Sequence, residues 1–312
     1  MGKPPNHNFL ESIELGVGCW QWGDRMLWGY GRSYAHTDVR AAFDAGLAAN
    51  VIFFDTAEGY ASGRSERFLG EFIKASGKQV VVATKFMPLP WRLRKGDLPK
   101  ALRRSLDRLG LKQVDLYQIH WPFPPIPIET WMEAMADAVE AGLTRAVGVS
   151  NFGVGQTRRA HAAMAKRGVP LASNQVHYSL INRKVERSGL LALCQELGIK
   201  LIAYSPIEKG VLSGKYTPDH LPPGLRRGLY NRAYMTKVQP LIALLRNIGQ
   251  AHGGKTPAQV ALNWLMCKGA LPIPGAKNAE QAQQNAGAMG WRLTPGEVSG
   301  LEAASEQVMR GR

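Results

Sequence analysis

Apolar and polar positions along this chain follow two rhythms. Short, nearly uniform apolar runs alternate with longer segments in which apolar residues recur every three or four positions. The short runs read as strands near 12–17, 51–55, 79–84, 114–119, 144–149, 172–177, 199–204 and 270–274. Several are apolar on both faces, as strands are when each side is covered. Between them lie helical patterns near 37–49, 64–75, 98–109, 129–141, 155–167, 187–197 and 256–267. Strands and helices alternating in this way over 312 residues predict an α/β chain folded as a (β/α)₈ TIM barrel.

No low-complexity linker divides the chain and no fixed-period repeat is present, so residues 1–312 are expected to form a single barrel domain. The one long interruption runs from Pro206 to about Thr236 and is rich in Gly, Pro and basic residues. Loops of that length in a compact domain are functional or mobile, and one following the seventh strand would cover the catalytic face of a barrel. After 278, a segment from Asn278 to Asn285 and a capped start at Thr294-Pro295 predict two closing helices.

Composition narrows the class. Hydrophobic residues make up 45% and charged residues 20%, which supports a large core and excludes wholesale disorder. No run reaches the ~18–20 apolar residues of a membrane span. The opening Met1–Asn8 lacks a secretory apolar segment and a transit peptide's Arg/Ser bias. Gly2 invites an acylation reading, but Asn6 stands where Ser or Thr is wanted. Cys19, Cys194 and Cys267 are scattered and odd in number, which points to a reducing, cytoplasmic setting rather than a disulfide framework. The histidines show no metal-ligand spacing, so no metal is expected. Nothing in the pattern fixes an oligomeric state.

The net charge of +15 concentrates in Arg92, Arg94, Lys95, Lys100, Arg103, Arg104 and Arg108, with a second group at Arg226, Arg227 and Arg232. On the helix near 98–109, Leu98, Leu102, Leu106 and Leu109 form the inward stripe. Lys100, Arg104 and Arg108 then fall on the solvent side. No nucleic-acid motif accompanies the charge, so it reads as a solvated basic face that can steer anionic ligands.

The chemistry sits at strand ends. Asp55, Tyr60, Lys85 and His120 fall at or just after the apolar runs that begin at Val51, Val80 and Val114. Ends of neighbouring parallel strands converge on one face of a barrel. A free phenol titrates near pH 10 and is a weak acid at neutral pH. A nearby ammonium would stabilise its anion and lower that value, a carboxylate would hold the ammonium, and an imidazole would orient a carbonyl. Singly, each residue has an ordinary alternative: a turn cap, a surface lysine, a packed ring, a satisfied histidine. The weight lies on all four arriving together. Aromatics follow the same strands, and Trp20 and Trp121 are the ones expected to line an apolar substrate pocket. Gly16-Val-Gly18 lacks the third glycine and following helix of a dinucleotide-binding turn, which counts against a Rossmann dehydrogenase.

Asp55-Thr-Ala-Glu-Gly-Tyr60, Thr84-Lys85 and Gln118-Ile-His-Trp-Pro122 resemble the tetrad segments of the aldo-keto reductase superfamily. The likeness extends through Leu15–Gly18, Gly148–Phe152, Asn174–Tyr178, Ala203–Pro206, Gly210–Tyr216 and Ile273–Lys277. It is nearest the branch with potassium-channel β subunits and plant or bacterial reductases. The resemblance implies an NADP(H) cofactor and a small carbonyl substrate, with Tyr60 as general acid, tuned by Lys85 and Asp55, and His120 orienting the carbonyl. Ser150, Asn151 and Gln175 would hold the nicotinamide carboxamide, with Tyr204 stacked on the ring. Ser205, Pro206, Gly210, Leu212 and Lys215 would follow the pyrophosphate. Gly275, Lys277, Gln281, Gln284 and Asn285 would surround the adenosine end. Lys215 and Lys277, with no carboxylate expected beside them, favour the 2′-phosphate of NADPH over NADH. Two other functions stay open: a redox-sensing subunit that binds NADP(H) and turns over slowly, and a lyase or isomerase using Lys85 as a Schiff base.

Overall fold

The structure is a computed structural model describing residues 7–224 and 226–310. Met1–Asn6, with the acylation reading, lies outside the described residues. Eight strands run parallel in chain order: β1 (Gly16–Gly18), β2 (Phe53–Asp55), β3 (Val81–Phe86), β4 (Val114–Ile119), β5 (Thr144–Ser150), β6 (Leu171–His177), β7 (Lys200–Tyr204) and β8 (Leu271–Ile273). The first and last also meet. The Gly18 amide donates to the Pro274 carbonyl at 3.0 Å, and Gly18 bridges Gly275 in parallel. The result is the expected (β/α)₈ barrel.

Strand alternation sorts the side chains into two cores. Phe54 points outward and packs against Phe43 at 4.9 Å between ring centres, under the surrounding helices. Phe53 points inward, joining Ala83, Leu116, Ala146, Ile202 and Leu271 in an apolar layer. Leu10, which ends a short 3₁₀ turn at His7–Leu10, and Ile13, in the segment that follows it, seal the base of that layer. This corrects the first strand, expected over 12–17. Ile13 is spent on the plug, and the ladder starts only at Gly16.

One register step further along, the inward layer turns polar. Asp55 faces Ala83 across the ladder, Lys85 faces Gln118, Gln118 faces Gly148, and Ser150 faces Gln175. Gly148 is needed where it stands. A Cβ there would lie 2.1 Å from the Ser173 hydroxyl and 3.0 Å from the Ser173 carbonyl oxygen.

Three helical expectations change. The pattern near 187–197 is two pieces, Lys184–Arg187 and Leu190–Glu196, parted by Gly189 at φ +78°. A 20-residue helix, Arg232–Ala251, was not anticipated. Its buried stripe of Met235, Val238, Leu241, Ile242, Leu245 and Ile248 has helical spacing, but Pro240 interrupts the pattern. The long interruption therefore ends at Asn231, whose side chain caps the helix by accepting from the Tyr234 amide at 2.9 Å. On the helix Asp97–Leu109, Lys100 and Arg104 are exposed as expected, but Arg108 is not. It turns inward to Glu66, with Nε 2.5 Å from a fully buried carboxylate whose other oxygen accepts from the Thr84 hydroxyl at 2.6 Å. A carboxylate without access to water requires such partners, and this outweighs the helical periodicity.

Gly148→Ala is expected to lose about 1–3 kcal/mol of stability in urea unfolding, because the obstructing Ser173 carbonyl is fixed in the ladder. A variant as stable as wild type would contradict the close approach.

Candidate active site

At the C-terminal end of the barrel a cleft of about 910 Å³ opens above the polar layer. Lys85 is fully buried beneath it. Its ammonium donates to Asp55 Oδ1 in a close contact, to the Thr56 carbonyl at 2.8 Å and to the Tyr60 hydroxyl at 3.4 Å. The other Asp55 oxygen accepts from Gln175 Nε2 at 2.8 Å and from Gln118 Nε2 at 3.1 Å. The Tyr60 ring meets His120 edge-on at 5.7 Å, and Trp20 lies 6.4 Å from it on another side. The four residues singled out by their strand-end positions therefore converge.

Local backbone makes this convergence possible. Tyr60 opens a turn in which Ala61 and Ser62 take φ of +48° and +56°, left-handed values uncommon outside glycine. Two residues earlier, Glu58 accepts from the Met87 amide at 2.8 Å and grips the Arg92 guanidinium with both oxygens. Arg92 also donates to the Met87 carbonyl at 2.8 Å. The loops after β2 and β3 are thus tied together, and Arg92 is part of the site's frame rather than of a solvated face.

The electrostatics depart from expectation in one respect. Burial raises the Tyr60 phenol above its ordinary value; the Lys85 charge pulls it down, but burial prevails. For Lys85, burial works against the charged form, yet Asp55 and Tyr60 together keep its value raised. Burial, with the Lys85 charge behind it, pushes His120 down to about 3. At neutral pH the resting site therefore holds a protonated phenol, an ammonium and a neutral imidazole.

Along the cleft, Ser150, Asn151 and Gln175 line the floor. Asn151 donates to the His120 carbonyl at 3.1 Å and accepts from the Tyr204 hydroxyl at 3.0 Å. Ser205, Pro206, Gly210 and Lys215 line the wall beyond Tyr204. Gly210 sits at φ +95°, with Lys215 folded so close that a Cβ would lie 3.0 Å from its Cε. Gly275, Lys277, Gln281, Gln284 and Asn285 form the far end, and Trp20 and Trp121 lie on the wall beside Tyr60 and His120. Leu212 does not join them: its side chain is fully buried in the outer core, because the 3₁₀ turn Glu208–Ser213 points it inward.

Trp28, one of the aromatics that follow the first strand, also joins the wall, together with Met87, Lys209 and Glu280, which the sequence pattern does not single out. Met87 directly follows the end of β3 and shares the positional signal that picked out Trp20. Glu280 supplies a carboxylate where none was expected, held by Gln284 Nε2 at 3.1 Å. Phe86 and Trp22 are fully buried packing residues, whereas Phe123 is exposed and stacks on Trp121 at 5.6 Å.

The aldo/keto reductase family model matches residues 14–306. The chain belongs to the aldo/keto reductase family. Among its relatives is a chloroplastic pyridoxal reductase of Arabidopsis thaliana, 43% identical, with the match covering 96% of this chain and 84% of that protein. A Schizosaccharomyces pombe aldo-keto reductase whose name includes NADP(+) is 32% identical over 94% of this chain and 88% of its own. Among solved structures, a Klebsiella pneumoniae aldo/keto reductase in complex with NADP and acetate is 30% identical with a TM-score of 0.73, covering 96% of this chain and 93% of that one. As a family member the chain is an oxidoreductase. Among the described residues no helix is long and apolar enough to cross a membrane, and no His, Cys, Asp or Glu cluster could hold a metal.

The depressed His120 value carries a test. Its folded pKa lies below the ordinary 6.5, so the unfolded chain takes up the proton first as pH falls. The stability this group contributes is complete above about 6.5 and is lost progressively toward about 3. Ring nitrogen NMR should show His120 neutral throughout neutral and mildly acidic pH. A midpoint near the ordinary histidine value would refute the assignment.

Proposed function

We propose that this chain is an NADP(H)-dependent carbonyl reductase, carried by a single barrel domain, that converts an aldehyde or ketone to the alcohol with Tyr60 as proton donor. The observation that carries the reading is the ammonium of Lys85, locked by Asp55, 3.4 Å from the Tyr60 hydroxyl at the floor of an open cleft. Bound reduced nicotinamide supplies a hydride from its C4 position.

The chain's own residues do the rest. Tyr60 gives its proton to the developing alkoxide, and Lys85 then faces the phenolate left behind. The neutral His120 aims the carbonyl oxygen at the phenol. Gln21 Oε1 and His120 Nδ1, both in residues on the cleft wall, are buried without a hydrogen-bond partner, so polar capacity is left over there for a ligand. The cleft is of cofactor size. Ser150, Asn151 and Gln175 suit a carboxamide, Tyr204 a ring, and Ser205, Pro206, Gly210 and Lys215 a pyrophosphate. Gly275, Lys277, Gln281, Gln284 and Asn285 suit the adenosine. Lys215 and Lys277 against the single Glu280 leave cationic character for a 2′-phosphate.

The Schiff-base alternative loses ground on geometry. All three Lys85 N–H groups are committed, to Asp55, Thr56 and Tyr60, and the side chain is fully buried. For substrate, the planar rings of Trp20, Trp28 and Trp121 and the thioether of Met87 offer uncharged walls beside Tyr60 and His120. A planar aromatic aldehyde fits such walls, and the Arabidopsis relative's name makes pyridoxal the first compound to assay. A cytoplasmic setting remains part of the proposal, although that relative's name places it in the chloroplast.

Reduction of an aldehyde panel, followed at the nicotinamide absorbance band, should fall about 10²- to 10⁴-fold in Tyr60→Phe. The same variant should still bind NADPH by quenching of tryptophan fluorescence. Equal turnover would reject the mechanism, and retained NADPH with no turnover in wild type would favour the redox-sensing alternative. Lys277→Met should weaken NADPH about tenfold more than NADH. Equal weakening of the two would remove Lys277 from the 2′-phosphate.

A further inference from the structure

Behind the cleft wall lies a buried carboxylate that the proposed reaction does not use. Glu208 is only 3% exposed. One oxygen accepts from the Ser179 hydroxyl at 2.7 Å and lies 2.7 Å from His177 Nε2; the other accepts from the Tyr230 hydroxyl at 3.0 Å. These partners come from the end of β6, the bend after it, and the far side of the long loop.

Two features tie this cluster to the cleft. The first is backbone conformation. Ser205, Glu208 and Lys209 have φ of +51°, +48° and +52°, and Gly210 follows at +95°. Non-glycine residues in this region are unfavourable and persist only where their surroundings over-determine them. Ser205, Lys209 and Gly210 all line the cleft, so the strained turn is itself part of the wall, and its buried anchor is Glu208.

The second feature is the Tyr204 ring. His177 stacks on it at 5.4 Å and 16° between planes. The imidazole cannot easily rotate, because its Nε2 meets Glu208 and its Nδ1 meets Asn182 Nδ2 at 2.7 Å. One carboxylate thus fixes both the ring shelf and the turn that follows it.

We propose that Glu208 is a positioning residue that governs how tightly and how long NADP(H) is held, acting through His177 on Tyr204 and through the backbone on Ser205–Gly210. This rests on the reading of the cleft as the cofactor site.

Glu208→Gln keeps the size but replaces one acceptor oxygen with a donor, leaving its three partners imperfectly paired. In the full chain it should raise the NADPH dissociation constant about 10- to 100-fold, with the release rate in stopped-flow fluorescence rising by a similar factor. The maximal rate at saturating NADPH should fall far less, by under about threefold, since the Tyr60–Lys85 pair is held separately. Tyr230→Phe, which removes one donor, should give about a threefold effect. As a control, Glu186→Gln disturbs another partly buried carboxylate, bonded to Tyr178 at 2.6 Å and to Arg183, and should leave NADPH affinity unchanged. A folded Glu208→Gln with wild-type affinity and release overturns the proposal. If that variant does not fold, wild-type behaviour of Tyr230→Phe overturns it instead. Wild-type protein that binds no NADPH would overturn the reading of the cleft itself.

Discussion

The site depends on a buried ion pair. Lys85 and Asp55 are 0% and 1% exposed, deep enough that neither charge could remain there alone. Removing one partner from such a pair typically costs about 3–5 kcal/mol, because the remaining charge is uncompensated. The barrel supplies more than the pair. Asp55 takes further hydrogen bonds from Gln118 and Gln175, so three other strands point a donor at β2. That arrangement requires closure: only in a ring can residues from β2, β3, β4 and β6 face one another across the interior.

The barrel is accordingly graded along its axis. Its lower layer is apolar and plugged by Leu10 and Ile13, so water is excluded from below. Its upper layer is polar and internally paired, and above that the wall becomes strained. Of the seven described non-glycine residues with left-handed backbone, six (Ala61, Ser62, Asn151, Ser205, Glu208 and Lys209) lie in the segments that follow strand ends, and only Asn50 precedes a strand; Asn151, Ser205 and Lys209 line the cleft itself. Local conformational cost thus concentrates where side chains must be aimed, and the ladder and apolar layer below absorb it.

Much of this was legible in the sequence for identifiable reasons. Strand order follows from runs apolar on both faces, because helices on one side and barrel interior on the other leave no face in water. The tetrad was legible because strand ends are where a parallel barrel gathers its chemistry. The misses share a different cause. Ile13 reads as strand, but it belongs to a plug whose need appears only once the barrel is closed. Arg108 and Arg92 read as surface charge because their partners, Glu66 and Glu58, lie 42 and 34 positions away. The helix Arg232–Ala251 had the right spacing and was hidden by a proline.

The Tyr60 result changes how the tetrad should be understood. Reasoning from the ammonium alone suggests a phenol made acidic at rest. In the folded chain burial outweighs that pull, and the phenol is less acidic than in water. For a proton donor this is no defect, since a phenol already ionised has nothing to give. What matters is the difference between states. Burial holds the proton while the site is idle, and the Lys85 charge, fixed by Asp55, gains its full value only when the phenolate forms beside it in a region of low dielectric. The ion pair therefore acts on the transfer rather than on the resting acid. This is why its position, 3.4 Å from the phenol and fastened on its far side, matters more than any value the tyrosine shows alone.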